Sequence, residues 1–390
     1  MKTRITSLLD CRYPILLPGM SWISTPELVA AVSNAGGCGI LATGPLSADE
    51  TRISIRRTRE LLGNSNNNNN NKNSNKKTPF GVGITLLMPG ARENAEVALE
   101  EEVPLINVSL GKPDWIVQGC RSYGGKVLAT VTNAQHASVA LEAGADALMV
   151  TGHEAAAHGG DVTSLVLVNA LAERFPEIPL VAAGGFANGR GLAAALSLGA
   201  DAVAMGSRMA VTQESPLAHS IKEIVANTGT TEADTLYGKN FDGIPARVLR
   251  TPLAQKRMIS RPNPLSVFLR ACRAAGEMNV PLWKILPGML GGEYDKIYAL
   301  AQFGAATRDI QAATVNGDTD AGVQFIGQCA GLIHDIPTVH DLVQRIAAEA
   351  KAASSHNASA FGENYGDGGI KGSATTNMVD NIENQIRKVG

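Results

Sequence analysis

Aromatic residues make up only 4% of this 390-residue chain. Nowhere do about 18 apolar residues run together, so no membrane-spanning helix is expected. The five cysteines, Cys11, Cys38, Cys120, Cys272 and Cys329, form no CxxC pair and no closely spaced set. That argues against structural zinc and a disulfide framework, and for reduced thiols in a cytoplasmic setting. An excess of charge of one sign is also missing, since 34 Lys and Arg stand against 36 Asp and Glu for a net charge of -2. With no basic cluster interleaved with aromatics, nucleic acid is not an expected partner. HExxH, clustered carboxylates and a G-x-S-x-G elbow are all absent, so neither a metal site nor an acyl-enzyme is expected. The opening MKTRITSLLDCRYP has early positive charge but no apolar core of leader length, and the Asn-x-Ser matches at Asn107 and Asn357 then read as chance.

What the chain does have is 44% hydrophobic residues and 41 glycines. Short β-rich apolar runs alternate with longer Ala/Leu-rich amphipathic ones, the sequence form of repeated βα units around a parallel sheet. Strands are predicted at Pro14–Met20, Cys38–Gly44, Pro79–Leu87, Leu105–Gly111, Lys126–Thr132, Ala147–Gly152, Pro179–Gly185 and Ala202–Arg208. Helices are predicted between them, each returning to the sheet through a turn such as Ala143-Gly144-Ala145-Asp146 or Leu198-Gly199-Ala200-Asp201. Eight such units predict an α/β fold, a (β/α)₈ TIM barrel; a doubly wound sheet loses ground because the first turn, Pro18-Gly19-Met20-Ser21, is no GxGxxG fingerprint.

Helices able to close the barrel reappear only at Ala321–Leu332 and Thr338–Ala352. The barrel is therefore assigned to residues 1–212 plus 316–352, and 213–315 to an inserted, mostly helical second domain covering its mouth. Residues 64–77, with six consecutive asparagines, read as a disordered insert, and 353–390 as a loosely ordered tail with a short helix at Asn377–Lys388.

In such a barrel, function collects on the loops at the carboxyl ends of the strands, and phosphate sites follow strands seven and eight. The sequence reads Ala183-Gly184-Gly185-Phe186 after the seventh strand and Ala204-Met205-Gly206-Ser207-Arg208 at the eighth. Glycines there let backbone N–H groups approach a phosphate. After the sixth strand comes Thr151-Gly152-His153-Glu154-Ala155-Ala156-Ala157-His158-Gly159-Gly160-Asp161, whose small residues leave room for an imidazole to meet substrate. His153 and His158 are both candidates for proton abstraction near neutral pH, and Glu154 either orients an imidazole or anchors the loop.

Several ordered motifs resemble the nitronate monooxygenases, flavin enzymes on a TIM barrel. They are Pro18-Gly19-Met20, Asn34-Ala35-Gly36-Gly37, Phe80-Gly81-Val82-Gly83, Gly152 through Gly160, Ala183-Gly184-Gly185, Met205-Gly206-Ser207-Arg208 and Gly331 through Val339. The resemblance implies FMN, with Met20, Gly83, Thr151, Gly184, Gly185, Ala204, Met205, Gly206 and Ser207 around it, no metal, and His158 as the catalytic base. It implies oxidation of an alkyl nitronate, or of a nitroalkane, by O2 to a carbonyl compound and nitrite. The partners are then a small nitronate or other small electron donor and O2, with no nucleic acid, no membrane and the oligomeric state unassigned.

The chain departs from the family pattern. Thr151 stands where a flavin-contacting Gln is expected, Gly83 where Asn is frequent, and Ala156-Ala157 replace two glycines. Ring contacts are then expected from Thr151, Thr85, Thr130 or water. Two alternatives follow: an FMN- and NAD(P)H-dependent reductase of enoyl thioesters or quinones, related to flavin-type enoyl-acyl-carrier-protein reductases, and a flavin-binding protein that has lost turnover.

Overall fold

The computed structural model describes residues 1–68, 78–156, 158–259, 306 and 308–361. Eight parallel strands close into a barrel: β1 (Ile15–Leu17), β2 (Cys38–Ala42), β3 (Phe80–Thr85), β4 (Leu105–Ser109), β5 (Lys126–Val131), β6 (Ala147–Thr151), β7 (Leu180–Ala183) and β8 (Ala202–Ala204). Each pairs with its neighbour in sequence, and β8 returns to β1 through Val203 opposite Ile15. The protein is a TIM barrel. All eight predicted strands are present, trimmed at the ends where Pro14, Pro18, Pro79 and Pro179 supply no ladder N–H.

The strands read as continuous apolar runs because both faces are covered. Ile15, Leu17, Val82, Ile84, Ile106, Val108 and Val150 point out under the helices, while Leu16, Ile40, Leu105, Leu128, Met149, Val181 and Ala202 alternate with such residues and fill the interior. Helix α1 (Arg4–Leu9) closes the amino-terminal end, adding Ile5 and Leu9 to that interior cluster. Arg4 is anchored there on Asp201 at 2.8 Å.

Helices α2 (Pro26–Asn34), α3 (Ala48–Asn68), α4 (Ala91–Glu100), α5 (Asp114–Arg121), α6 (Ala134–Glu142), α7 (Ser164–Arg174) and α8 (Gly189–Ser197) form the outer ring. Asn133 and Asn188 cap α6 and α8 by accepting the amides of His136 and Gly191. The predicted helix stops take positive φ at Gly36, Gly144 and Gly199 (93° to 101°), a conformation open to glycine. The aspartates that follow serve the sheet: Asp146 accepts the Val127 amide and Asp201 the Leu180 amide.

Beyond the short α9 (Gly206–Ala210), the described part of 213–315 holds α10 (His219–Ala226), an antiparallel hairpin of β9 (Thr235–Gly238) and β10 (Ala246–Leu249), and α11 (Pro252–Ile259). Residues 260–305 of the expected helical insert, Cys272 among them, lie outside the described residues, as do most of the Asn-rich tract and the helix expected at 377–388.

Three boundaries differ from the sequence reading. Helix α3 continues to Asn68, into the Asn-rich tract. The closing helix α12 (Val339–Ala360) starts at the Thr338 cap but runs past 352, because its Ala- and Ser-rich end sustains the helix; it packs against α8 and α2 as the eighth barrel helix. The segment 321–332 is no α-helix: it is irregular up to Gly327, then forms a 3₁₀ turn at Gln328–Leu332. Its backbone groups are engaged elsewhere, Val323 N–H with Asp309, Gln324 C=O with the Leu249 amide and Gln328 N–H with Glu154. Tertiary pairing there outweighs local helix propensity.

Candidate active site

Strand alternation carries the interior-facing side chains to the carboxyl end of the barrel. There the mouth is floored by Gly83 on β3, Asn107 on β4, Thr130 on β5, Thr151 on β6, Ala183 on β7 and Ala204 on β8. The β7–β8 side is small and apolar, leaving a flat shelf. The β3–β5 side is polar: Asn107 donates its amide to the Leu128 carbonyl and the Thr130 hydroxyl, and Ser109 donates to Thr85. Thr130 and Thr85 accept in these pairs, so their own O–H groups remain donors. Asn107 is buried in this floor, which agrees with its Asn-x-Ser match being chance.

The turns after β7 and β8 flank the shelf. Gly184 and Gly185 take φ of 96° and 84°, a pair of conformations that L side chains rarely adopt. Met20, held by Ser24 Oγ accepting its amide, brings its sulfur to 3.3 Å from where a Cβ on Gly206 would stand. A Cβ on Gly19 would lie 3.5 Å from Cα of Gly83, so the β1 and β3 ends meet at the same rim. Ser207 is fixed by accepting the Gly327 amide at 2.9 Å. Gathered here are Met20, Gly83, Thr151, Gly184, Gly185, Ala204, Gly206 and Ser207. Met205 joins them only through its backbone, since its side chain is buried in the layer between barrel and helices. Arg208 turns away: its guanidinium binds Asp335 and the Val211 carbonyl. The residues fit a flat, phosphate-bearing cofactor, with the shelf under a planar ring and the glycine-lined turns open to an anion.

The β6–α7 loop carries the two histidines, and the structure separates their roles. Nδ1 of His153 lies 3.1 Å from the Gly160 carbonyl, and its ring packs edge-on against Tyr237 at 4.4 Å. A carbonyl only accepts, so Nδ1 is the donor and His153 is a loop brace. The Glu154 carboxylate accepts both the backbone N–H (2.8 Å) and the hydroxyl of Ser164 at the start of α7. Of the two readings left open for Glu154, the structure selects the loop anchor. His158 stands apart, about one-fifth exposed, with Nε2 3.4 Å from Asp242 Oδ2 and its ring 6.3 Å from Phe325.

Asp242 lies in the β9–β10 turn, and the same hairpin clasps the loop. Tyr237 donates its hydroxyl to the Gly159 carbonyl, the Arg247 amide donates to Ala156, and the Arg247 guanidinium donates to the His153 carbonyl at 3.1 Å. Arg247 also stacks over Tyr237 at 5.3 Å. Burial holds the Arg247 guanidinium below the usual arginine range and pushes the Tyr237 phenol up. Burial likewise pushes the Asp242 carboxyl up, opposed by His158.

Sequence reasoning missed Asp242, Tyr237, Arg247, Phe325 and Asn107. One signal was present: Asp242-Gly243 between the apolar pairs Leu236-Tyr237 and Val248-Leu249 is a hairpin-turn dipeptide.

Comparison with known proteins agrees with this geometry. The family model for nitronate monooxygenase matches residues 2–349. The chain belongs to the nitronate monooxygenase family. As a member it is a flavin-dependent oxidoreductase. Among its relatives, the (3aS,4S,5R,7aS)-5-hydroxy-7a-methyl-1-oxo-octahydro-1H-indene-4-carboxyl-CoA dehydrogenase of Rhodococcus jostii is 33% identical, over 90% of this chain and 96% of that one. A probable nitronate monooxygenase of Staphylococcus saprophyticus is 29% identical over 66% of this chain and 81% of its own. The structure of FabK from Thermotoga maritima superposes with a TM-score of 0.72 at 33% identity, covering 92% of this chain and 99% of that one. Among the described residues no helix is long and apolar enough to cross a membrane, and no group of His, Cys, Asp and Glu is arranged to hold a metal ion.

Proposed function

We propose that the protein is an FMN-dependent oxidoreductase of acyl-coenzyme A thioesters, acting at the carbons next to the thioester carbonyl with His158 as the proton-transfer group. The observation that carries this reading is the placement of His158: about one-fifth exposed, on a braced loop whose Ala155 and Glu154 stand against the Gly184-Gly185 turn. The thioester class is supported by two relatives matched over 90% of the chain, at 33% and 31% identity, whose names specify a carboxyl-CoA substrate. It is supported as well by Gly83 and Thr151, which lack the amide side chains the nitronate enzymes are expected to present.

The C–H next to a thioester carbonyl is acidified by that carbonyl, and a neutral imidazole takes such a proton near neutral pH. His158 takes it, and in the reverse direction returns it to the same carbon. Glu154, capped onto α7, and Arg247, bound to the His153 carbonyl, hold the loop so that the imidazole keeps its place. Backbone amides of the two glycine-lined turns bind the cofactor phosphate, while Thr130 and Thr85 offer hydroxyl donors at the edge of the ring site. FMN supplies the hydride acceptor or donor when bound.

Nitronate oxidation is the second reading, favoured by the family match itself and sharing the same proton step, since a nitroalkane is also a carbon acid. Anaerobic absorbance of the purified flavoprotein separates the two. Bleaching by an acyl-CoA, or reoxidation of NADPH-reduced enzyme by an enoyl-CoA, supports the first reading. Bleaching by propyl nitronate with no response to either thioester refutes it.

A further inference from the structure

Two turns and one loop meet at a residue that lies outside the barrel strands. Gly327 immediately precedes the 3₁₀ turn, and its N–H donates to Ser207 Oγ at 2.9 Å, on the turn after β8. The next N–H, of Gln328, donates to the backbone carbonyl of Glu154 at 3.0 Å, on the β6–α7 loop. Consecutive N–H groups of one segment therefore hold both the turn after β8 and the loop that carries His158. The carboxylate end of Glu154 reaches the other turn. The Ser164 hydroxyl lies 2.9 Å from Glu154 Oε2 and 2.8 Å from the Gly184 carbonyl, so its one proton is shared between loop and turn. Glu154 is thus tied through its backbone to Ser207 and through its side chain to Gly184.

The fit at Gly327 is close. A Cβ there would stand 2.8 Å from the Glu154 carbonyl oxygen, 3.3 Å from the Ala156 amide nitrogen and 3.5 Å from Ser207 Oγ. The first is shorter than real Cβ contacts and its atom is backbone, so a side chain would push loop and turn apart. The local conformation does not itself require glycine, since φ −79° and ψ 169° are open to any residue. The missing side chain at 327 serves the contact rather than the turn.

We propose that Gly327 is the positioning residue that couples the cofactor turns to the His158 loop. The hydrogen bonds to Ser207 and, through Gln328, to Glu154 fix the distance between them, so that an occupied phosphate turn and an ordered loop form one state. Coupling of this kind is reciprocal: the cofactor orders the loop, and the ordered loop tightens the hold on the cofactor by the same factor. Gly327 brings no reacting atom; its role is the spacing of two elements that do. The assignment rests on the reading of the two turns as the cofactor cradle.

Hydrogen–deuterium exchange of FMN-loaded and FMN-free protein tests the coupling directly. In wild type, FMN is expected to slow exchange of the amides of residues 152–160 by about fivefold or more. Gly327→Ala is expected to lose that response and to raise the FMN Kd about tenfold, with the barrel strands as protected as before. Ser207→Ala opens space instead of filling it, removes the acceptor of the Gly327 N–H, and is expected to lose the response in the same way. The double variant is expected to bind FMN no more weakly than the weaker single variant, because residues of one link do not add. A merely structural role would lower the melting midpoint of both variants and leave the response of the loop to FMN intact. That result overturns the proposal, and so does a wild-type loop whose exchange is indifferent to FMN. If Gly327→Ala does not fold, wild type and Ser207→Ala decide. Coupling in a protein that turns over neither thioesters nor nitronates would refute the functional reading and leave this assignment standing; thioester turnover without coupling would refute this assignment alone. A chain that binds no FMN refutes both.

Discussion

Replacing Gly184 and Gly185 one at a time by alanine isolates what the turn after β7 does. Both glycines have positive φ, so either alanine carries a backbone cost of roughly 1–3 kcal/mol. Their surroundings differ. A Cβ on Gly184 would lie 3.0 Å from the Ala155 amide nitrogen and 3.1 Å from both the Gly152 carbonyl oxygen and Ser164 Oγ. The first two are backbone atoms of the braced β6–α7 loop and cannot swing aside. A Cβ on Gly185 would meet only Glu154, its nearest atom at an ordinary 3.5 Å. Gly185→Ala is therefore expected to show the backbone cost alone, lowering the melting midpoint by about 2–6 °C at roughly 2 °C per kcal/mol. Gly184→Ala adds a displacement of the turn against the His158 loop. Its FMN dissociation constant is expected to rise about tenfold or more, which corresponds to about 1.4 kcal/mol. Thermal melts with and without FMN, together with titration by flavin fluorescence quenching, measure both. Equal melting points and an unchanged FMN affinity in the two variants would refute the reasoning, because the turn would then be neither crowded nor part of the cradle.

Glu154→Gln keeps the shape but loses the charge that the Ser164 N–H and O–H share; it is expected to cost about 1–2 kcal/mol in thermal unfolding. A variant as stable as wild type would show that the cap does not hold the loop. Asp335 accepts hydrogen bonds from Arg345 and Arg208, and these guanidinium groups hold its carboxyl below the usual aspartate range. A carboxyl depressed in the folded state contributes stability that is full above its unfolded pKa and is lost as pH falls through the folded one. The stability difference between wild type and Asp335→Asn is therefore expected to be constant near neutral pH and to close below about pH 4. Urea unfolding at a series of pH values checks this, and a difference that stays constant into acid would remove Asp335 from the account.

The barrel was legible because each of its strands is short, apolar on both faces and bounded by a glycine or proline, so a local window contains the whole signal. Gly144-Ala145-Asp146 and Gly199-Ala200-Asp201 show this well. The glycine ends one helix and the aspartate two residues later accepts an amide at the start of the preceding strand, so turn chemistry and sheet registry are written in the same few residues. The segment 321–332 was misread for the complementary reason. Its backbone partners are Asp309, Leu249, Ser207 and Glu154, of which the last two stand more than 100 residues away in sequence. No local pattern records such partners, and Gly322 and Gly327 leave little helix propensity to resist them.

The same division runs through the site. Gly184, Gly185, Gly206 and Ser207 were proposed from their positions after strands seven and eight, and the structure places them on turns at that end of the barrel. What selects between His153 and His158 is not on their own loop. It is the β9–β10 hairpin, which ties the backbone of Ala156 and His153 through Arg247, takes the ring of His153 against Tyr237 and sets Asp242 opposite His158, across 78 to 94 residues of sequence. Two histidines five residues apart are equivalent to a sequence argument, and they differ only once the hairpin arrives. The surroundings of His158 are therefore set by residues outside the barrel's strands. Exchanging the hairpin for that of a relative is a sharper way to alter the reaction than exchanging any residue of the floor.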